Sequence, residues 1–279
     1  MYKHRSFANG FEYLDISNEA ADAKIALQGA HIFEYRAKER ESLLWLSDRS
    51  SFEKGKAIRG GIPICWPRFG NLDKALPQHG FARVMPFRLV SITEKNPRLT
   101  QVHLQLKSTP ESREIWDYEF VLDVVFDISE KLTISMTTHN LDKRDFLLTQ
   151  AFHSYFKVSD IDDVSISGLE GISFLDTLQD KRGLEDKALS IKSETDRVYE
   201  GDIGMIILKD KNKEVKISAN NSASAIVWNP WVEKSADMSG MKSEAYKEFV
   251  CIESANAFDD FKIVKAAESR AIKVEYQEV

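Results

Sequence analysis

The sequence predicts an all-β protein, a large antiparallel β-sandwich with few short helices. Apolar residues recur at every second position over long stretches, the signature of half-buried strands. Strand–helix–strand rhythm is absent, which disfavours a parallel, doubly wound sheet. Two polar connections, Ser129-Glu-Lys131 and Lys209 to Glu214, separate alternating runs and read as hairpin turns.

Taken in chain order, Ile25 and Leu27 mark a strand that stops at Gly29. Ser47 to Lys54 is a candidate short helix. Val102, Leu104 and Leu106 form the next strand, followed by the longest alternation, Tyr118, Phe120, Leu122, Val124, Phe126 and Ile128. Leu132, Ile134 and Met136 resume the pattern after the turn. Lys181 to Arg197 is the most polar stretch and is expected to be loop. Met205 to Leu208 and Val215 to Ile217 flank the second hairpin connection. Ala225 to Trp228 and Phe249 to Ile252 are short β-branched or aromatic runs, with a second candidate helix, Ser243 to Glu248, between them. Ile272, Val274 and Tyr276 alternate with Lys273, Glu275 and Gln277, a strand expected to close a sheet edge. No Gly/Ser/Pro-rich linker divides residues 1–279, so one domain is expected.

Composition narrows the function. With 43% hydrophobic and 29% charged residues, the 279-residue chain can bury a sizeable core. A net charge of −6 disfavours nucleic acid as the main partner. No apolar run is long enough for a transmembrane helix, and no apolar core follows Met1 to Phe7 as a secretory signal requires. Two cysteines, Cys65 and Cys251, make neither a disulfide framework nor a metal-ligand spacing. A cytoplasmic protein is the expectation, and a monomer, since no amphipathic helix advertises an interface.

Against this acidic background one segment is rich in cationic and polar groups. Arg59-Gly-Gly-Ile-Pro-Ile-Cys-Trp-Pro-Arg-Phe69 and Gln78-His-Gly-Phe-Ala-Arg83 bring three arginines, a glutamine and a histidine onto a backbone punctuated by Gly and Pro. Such a backbone suits loops rather than helix interiors. Guanidinium forks recognise phosphate and hydroxyl oxygens, so the segment points to a small anion. His4, His31, His103 and His139 stand among ordinary strand or loop residues and read as surface or hydrogen-bonded histidines. His79 lies inside the arginine cluster, and alternation turns His153 away from Phe152 and Phe156. Glu253 falls on the same strand face as Phe249 and Cys251, where a carboxylate must be paired, hydrogen-bonded or functional. Asp196 suits a turn or a ligand contact equally, and Trp228-Asn-Pro-Trp231 suits either core packing or a sugar-stacking wall.

These segments together resemble the D-hexose-6-phosphate mutarotases, or glucose-6-phosphate 1-epimerases, within the aldose 1-epimerase, galactose mutarotase-like superfamily. The resemblance rests on Arg59-Gly-Gly-Ile-Pro, Trp66-Pro-Arg-Phe-Gly70, Pro77-Gln-His-Gly-Phe-Ala-Arg83, His153-Ser-Tyr-Phe156, Thr195-Asp-Arg-Val-Tyr199, Trp228-Asn-Pro-Trp231 and Val250-Cys-Ile-Glu-Ser254, in that order. It implies a sugar bound across a concave sheet, with no cofactor and no metal. It places the catalytic base at Glu253 and the acid at His153, with substrate contacts at Arg59, Gln78, Arg83 and Asp196. His79 sits where relatives carry a second active-site histidine. For Arg68 only its charge suggests a phosphate contact.

The implied reaction interconverts α and β anomers of a hexose 6-phosphate by ring opening and reclosure. It needs a base at the anomeric hydroxyl and an acid at the ring oxygen, roles a carboxylate and an imidazolium can fill. On this reading His153 carries a proton, its pKa held up by nearby carboxylates, while Arg59 or Arg83 keeps Glu253 ionised. The alternatives are an epimerase of unphosphorylated sugars and a non-catalytic carbohydrate-binding module on the same fold. A carboxylate-dependent glycosidase is weaker, because no second well-placed acid is evident.

Overall fold

The computed structural model describes residues 1–71, 75–211 and 213–279. Two eight-stranded antiparallel sheets dominate, joined by a four-stranded sheet over residues 2–37 and a two-stranded ribbon. One large sheet runs Ser165–Ser167, Ile206–Asp210, Lys213–Asn220, Ser269–Glu278, Leu132–Asn140, Phe120–Ile128, Leu99–Lys107, Arg88–Asn96. The other runs Lys181–Leu184, Ser173–Asp176, Thr195–Glu200, Ser224–Asn229, Phe249–Asn256, Gln150–Phe152, Ile64–Cys65, with Tyr155–Lys157 also paired to Phe249–Asn256.

Burial follows the alternation. Along Phe120–Ile128 every second side chain is buried, and Val124 and Phe126 meet Phe152, Phe156, Val250 and Ile252 of the opposite sheet in one core. Phe249–Asn256 is buried throughout, because its second face is covered as well. On that face Phe249 and Cys251 pack with Trp45, Tyr155, Ile226 and Trp228. A strand with two covered faces has no solvent side for a charge, so Glu253 sits where only a site or a partner can accommodate it.

Several expectations are corrected. Ser47 to Lys54 is not helical; the Ser47 backbone N–H and the Ser50 hydroxyl donate to the Arg59 carbonyl and tie this loop to the segment that carries Arg59. Ser243–Glu248 is helical, but as a 3-10 turn. The polar stretch from Lys181 contains two strands, Lys181–Leu184 and the start of Thr195–Glu200. Its charges are satisfied sideways: Arg197 donates to Glu185 at 2.8 Å and lies over the Phe174 ring. Ser269–Glu278 is not an edge strand; it pairs with Lys213–Asn220 on one side and Leu132–Asn140 on the other. The hairpin from Lys209 to Glu214 forms between paired strands, with Asn212 outside the described residues. Two further short helices are present. Pro110–Ile115 is capped by Thr109, whose hydroxyl accepts from the Ser112 N–H. Trp231–Asp237 follows Pro230 and packs Trp231 on Tyr246 of the Ser243–Glu248 turn.

Candidate active site

A cleft of about 460 Å³ opens on the second face of Phe249–Asn256, within the size range of small-ligand sites. Its walls include Arg59, Gln78, His79, Arg83, His153, Asp196 and Glu253, seven of the eight residues singled out from sequence. Arg68 is the exception. Its guanidinium donates to the Pro67 and Leu147 carbonyls, and it is not among the residues that line the cleft. A larger and more open depression, about 620 Å³, is lined by Asn221, Asn256, Lys262 and Arg270 among others. Its cations are engaged by Asp260 and Glu268, and no acid–base pair lines it, so the smaller cleft is the candidate site.

Backbone geometry builds the arginine wall. Gly60 and Gly61 both take positive φ, and a Cβ on either would lie 2.5 Å from a backbone oxygen, of Trp45 and Ile32 respectively. Only glycine lets this turn sit against its neighbours. Beneath it the His31 Nε2–H donates to the Gly60 carbonyl at 2.8 Å. Burial pushes the His31 imidazole down to about 4, so it stays neutral there. Arg83 donates to the Gln78 carbonyl at 2.7 Å, closing the second loop on itself.

His79 adopts a left-handed φ of 61° and exchanges contacts with Gly70: its N–H donates to the Gly70 carbonyl, and its Nδ1 accepts from the Gly70 N–H at 3.3 Å. That assigns the remaining proton to Nε2. Burial, with Arg83 and Arg59 nearby, lowers its pKa to about 3, so the ring is a neutral donor rather than an acid.

His153 follows strand Gln150–Phe152, where the chain breaks before resuming at Tyr155. The break is pinned by the His153 N–H on the Pro63 carbonyl and the Ile252 N–H on the Ser154 carbonyl. This aims the imidazole into the cleft, its Nδ1 3.3 Å from Glu253 Oε1. The pair is within ion-pair range but off-line for a hydrogen bond, and both His153 Nδ1 and Glu253 Oε2 lack a hydrogen-bond partner among the described residues. Buried polar atoms are rarely left so, and two in one cleft point to groups that a ligand completes.

The electrostatics invert one expectation. Burial drives His153 well below the usual histidine range, aided by His79, Arg83 and Arg59, rather than carboxylates holding it up. Burial and Asp196 together drive Glu253 well above the usual carboxylate range, with no arginine holding it ionised. Both directions favour the uncharged forms, a neutral imidazole beside a protonated carboxyl. Asp196 is itself raised, mainly by burial.

Sequence reasoning missed Lys234, Thr177 and Tyr155 on the same walls. Lys234 stands on the Trp231–Asp237 helix and pairs with Glu194 at 2.8 Å. Tyr155 was in view within His153-Ser-Tyr-Phe156, but alternation reports only that it shares a face with His153. Trp228 lines the cleft, while Trp231 packs on Tyr246, so the tryptophan pair divides between wall and core. Among the described residues no cluster of His, Cys, Asp and Glu is arranged to hold a metal ion, and no helix is long and apolar enough to cross a membrane.

Comparison with known proteins gives a consistent picture. A family profile described as aldose 1-epimerase matches residues 12–277. The chain is 34% identical over 255 residues to an Escherichia coli K12 protein named "Putative glucose-6-phosphate 1-epimerase", covering 90% of this chain and 85% of that one. A Cenchrus ciliaris protein of the same name is 37% identical over 248 residues, 84% and 74% of the two chains. The crystal structure of a "putative mutarotase (YeaD)" from Salmonella typhimurium superposes with a TM-score of 0.93 at 29% identity, covering 100% of this chain and 93% of that one. A galactose mutarotase related enzyme from Lactobacillus acidophilus shares the fold at a TM-score of 0.77 and 14% identity, covering 96% and 97%.

Proposed function

Since this chain belongs to the aldose 1-epimerase family, we propose that it interconverts the α and β anomers of a hexose 6-phosphate, with glucose 6-phosphate as the first candidate. The observation that carries the reading is the His153–Glu253 pair, both members buried, facing one cleft and 3.3 Å apart. In the productive arrangement the proton sits on His153 and the charge on Glu253. Glu253 takes the proton of the anomeric hydroxyl as His153 gives its own to the ring oxygen. The C1–O5 bond breaks, O1 becomes the aldehyde oxygen, and rotation about C1–C2 presents the other carbonyl face. Reversing both transfers closes the ring and restores the pair. General acid–base catalysis of this kind contributes roughly 10²–10⁴-fold.

Stereochemistry places the phosphate. The ring oxygen lies between C1 and C5, and C5 carries C6, so the phosphate projects on the proton donor's side. The cations whose charge acts on His153 are Arg83 and Arg59. A dianion between them satisfies two guanidinium forks and relieves the repulsion that disfavours the imidazolium. Phosphorylation of the substrate therefore improves turnover as well as binding. Asp196 and the neutral His79 donor are left for ring hydroxyls.

The test compares anomerisation of glucose 6-phosphate and glucose, followed by exchange NMR or polarimetry, in wild type and Arg83→Leu. Losing charged hydrogen bonds worth about 1.5–3 kcal/mol should cut kcat/KM for the phosphate ester by about 10–150-fold, with little change for free glucose. Equal turnover of both sugars by wild type would assign the chain to unphosphorylated substrates instead. Tight binding of the ester without rate enhancement would make the protein a binding module.

A further inference from the structure

We infer that Tyr155 is a positioning residue of this site: its ring sets the plane of the His153 imidazole, and its hydroxyl holds the Arg59 guanidinium beside it. The inference rests on the anomerase reading above for its kinetic consequences.

An active-site histidine is usually fixed by a hydrogen bond from its second ring nitrogen to a carboxylate or carbonyl. His153 lacks one: its Nδ1 has no hydrogen-bond partner among the described residues, Glu253 being off-line. Packing must therefore hold the ring. The Tyr155 ring lies parallel to it, 4.8 Å away with 9° between planes, and Trp228 meets it edge-on at 88° and 5.9 Å.

Tyr155 is itself immobilised. Its N–H donates to the Gly61 carbonyl, its carbonyl accepts from the Trp45 N–H, and its ring is packed by Trp45 and Phe249 on other sides. The Arg59 guanidinium lies close enough to the Tyr155 hydroxyl for its charge to act on it. One rigid side chain thus joins the proton donor to a group proposed to hold the phosphate. An aromatic face against an imidazole also favours its cationic form, opposing the arginines and burial.

The experiment uses the full chain with Tyr155→Phe and Tyr155→Leu, measuring kcat and KM for glucose 6-phosphate anomerisation and titrating the His153 imidazole by NMR. Phenylalanine keeps the stack and loses the hydroxyl: KM should rise about tenfold, with kcat falling by no more than about threefold. Leucine removes the stack: kcat should fall on the order of 100-fold, and the imidazole should titrate lower than in wild type. Equal kcat losses in the two variants, or an unchanged KM in Tyr155→Phe, would overturn the inference. Should Tyr155→Leu fail to fold, the KM-against-kcat split in Tyr155→Phe decides it alone. If wild type does not speed anomerisation, the function reading falls, and the His153 titrations still test the stacking: identical titration of wild type and Tyr155→Phe with a lower one in Tyr155→Leu upholds it.

Discussion

Replacing Glu253 by glutamine separates chemistry from stability. The side chain is 2% exposed, its Oε2 has no hydrogen-bond partner, and its Oε1 lies 3.3 Å from His153 Nδ1. Glutamine has the same shape, cannot accept the anomeric proton, and offers an N–H that Nδ1 can accept, which locks His153 neutral. Both halves of the proton relay are lost together. The expected fall in kcat is about 10²–10⁴-fold, equivalent to about 3–5 kcal/mol of barrier. Folding stability should move the other way. The folded pKa of Glu253 stands above its unfolded value of 4.5, so its contribution is favourable at low pH and is lost as pH rises. An uncharged amide escapes that loss, so Glu253→Gln should be at least as stable as wild type near neutral pH, with its advantage growing as pH rises. Anomerisation by exchange NMR, corrected for the spontaneous reaction, gives the first number, and urea denaturation across pH gives the second. Activity within about tenfold of wild type would refute the base assignment. A variant that loses ground to wild type as pH rises would refute the electrostatic picture.

Other expectations follow from individual residues. Arg68→Gln should leave KM for glucose 6-phosphate unchanged in the same assay, because the guanidinium serves the Pro67 and Leu147 carbonyls outside the cleft. Gly80→Ala should destabilise the chain by more than about 1 kcal/mol in urea denaturation, since φ is 71° and a Cβ would meet the Trp66 carbonyl oxygen at 2.0 Å. His31 titrates at about 4 in the folded chain against 6.5 in the unfolded one. The unfolded chain therefore takes up the proton first as pH falls, and stability is lost from about pH 6.5 downward. Between about pH 6.5 and about pH 5, wild type should lose about 1.5 kcal/mol more than His31→Gln, read from denaturation midpoints. Parallel pH profiles for the two would show that the ring is not held neutral.

What could be read from sequence follows from what alternation encodes. Period two reports which face a side chain occupies, so Phe120 to Ile128 and the orientation of Glu253 beside Phe249 and Cys251 were legible. It does not report where a strand lies within its sheet. Lys273 and Glu275 look like edge residues but belong to the solvent face of a central strand. Thr195–Glu200 was partly hidden because Arg197 satisfies its charge on Glu185, a residue remote from the strand's own pattern. Arg59, Arg83 and Arg68 are equivalent as letters. Their motif positions already set Arg59 and Arg83 apart from Arg68, and the backbone turns that bring Arg59 and Arg83 to the cleft wall are what the letters do not show.

The protonation state of the pair was beyond sequence for a further reason. Residue types suggested a charged histidine beside a charged glutamate, each stabilised by an opposite charge. Burial reverses both preferences without changing the proton count, since neutral His153 with protonated Glu253 and the ion pair differ only in where one proton sits. A site that rests in the neutral form avoids the desolvation cost of a buried ion pair. It reaches the reactive form when something offsets Arg59 and Arg83. On the function proposed here the phosphate of the substrate would be such a group, and the two arginines would then act as a switch thrown by a phosphorylated ligand. That account ties the arginine cluster to the proton relay: without Arg59 and Arg83 the imidazole would be easier to protonate in the empty site, and discrimination between phosphorylated and free sugars would shrink in kcat as well as in KM.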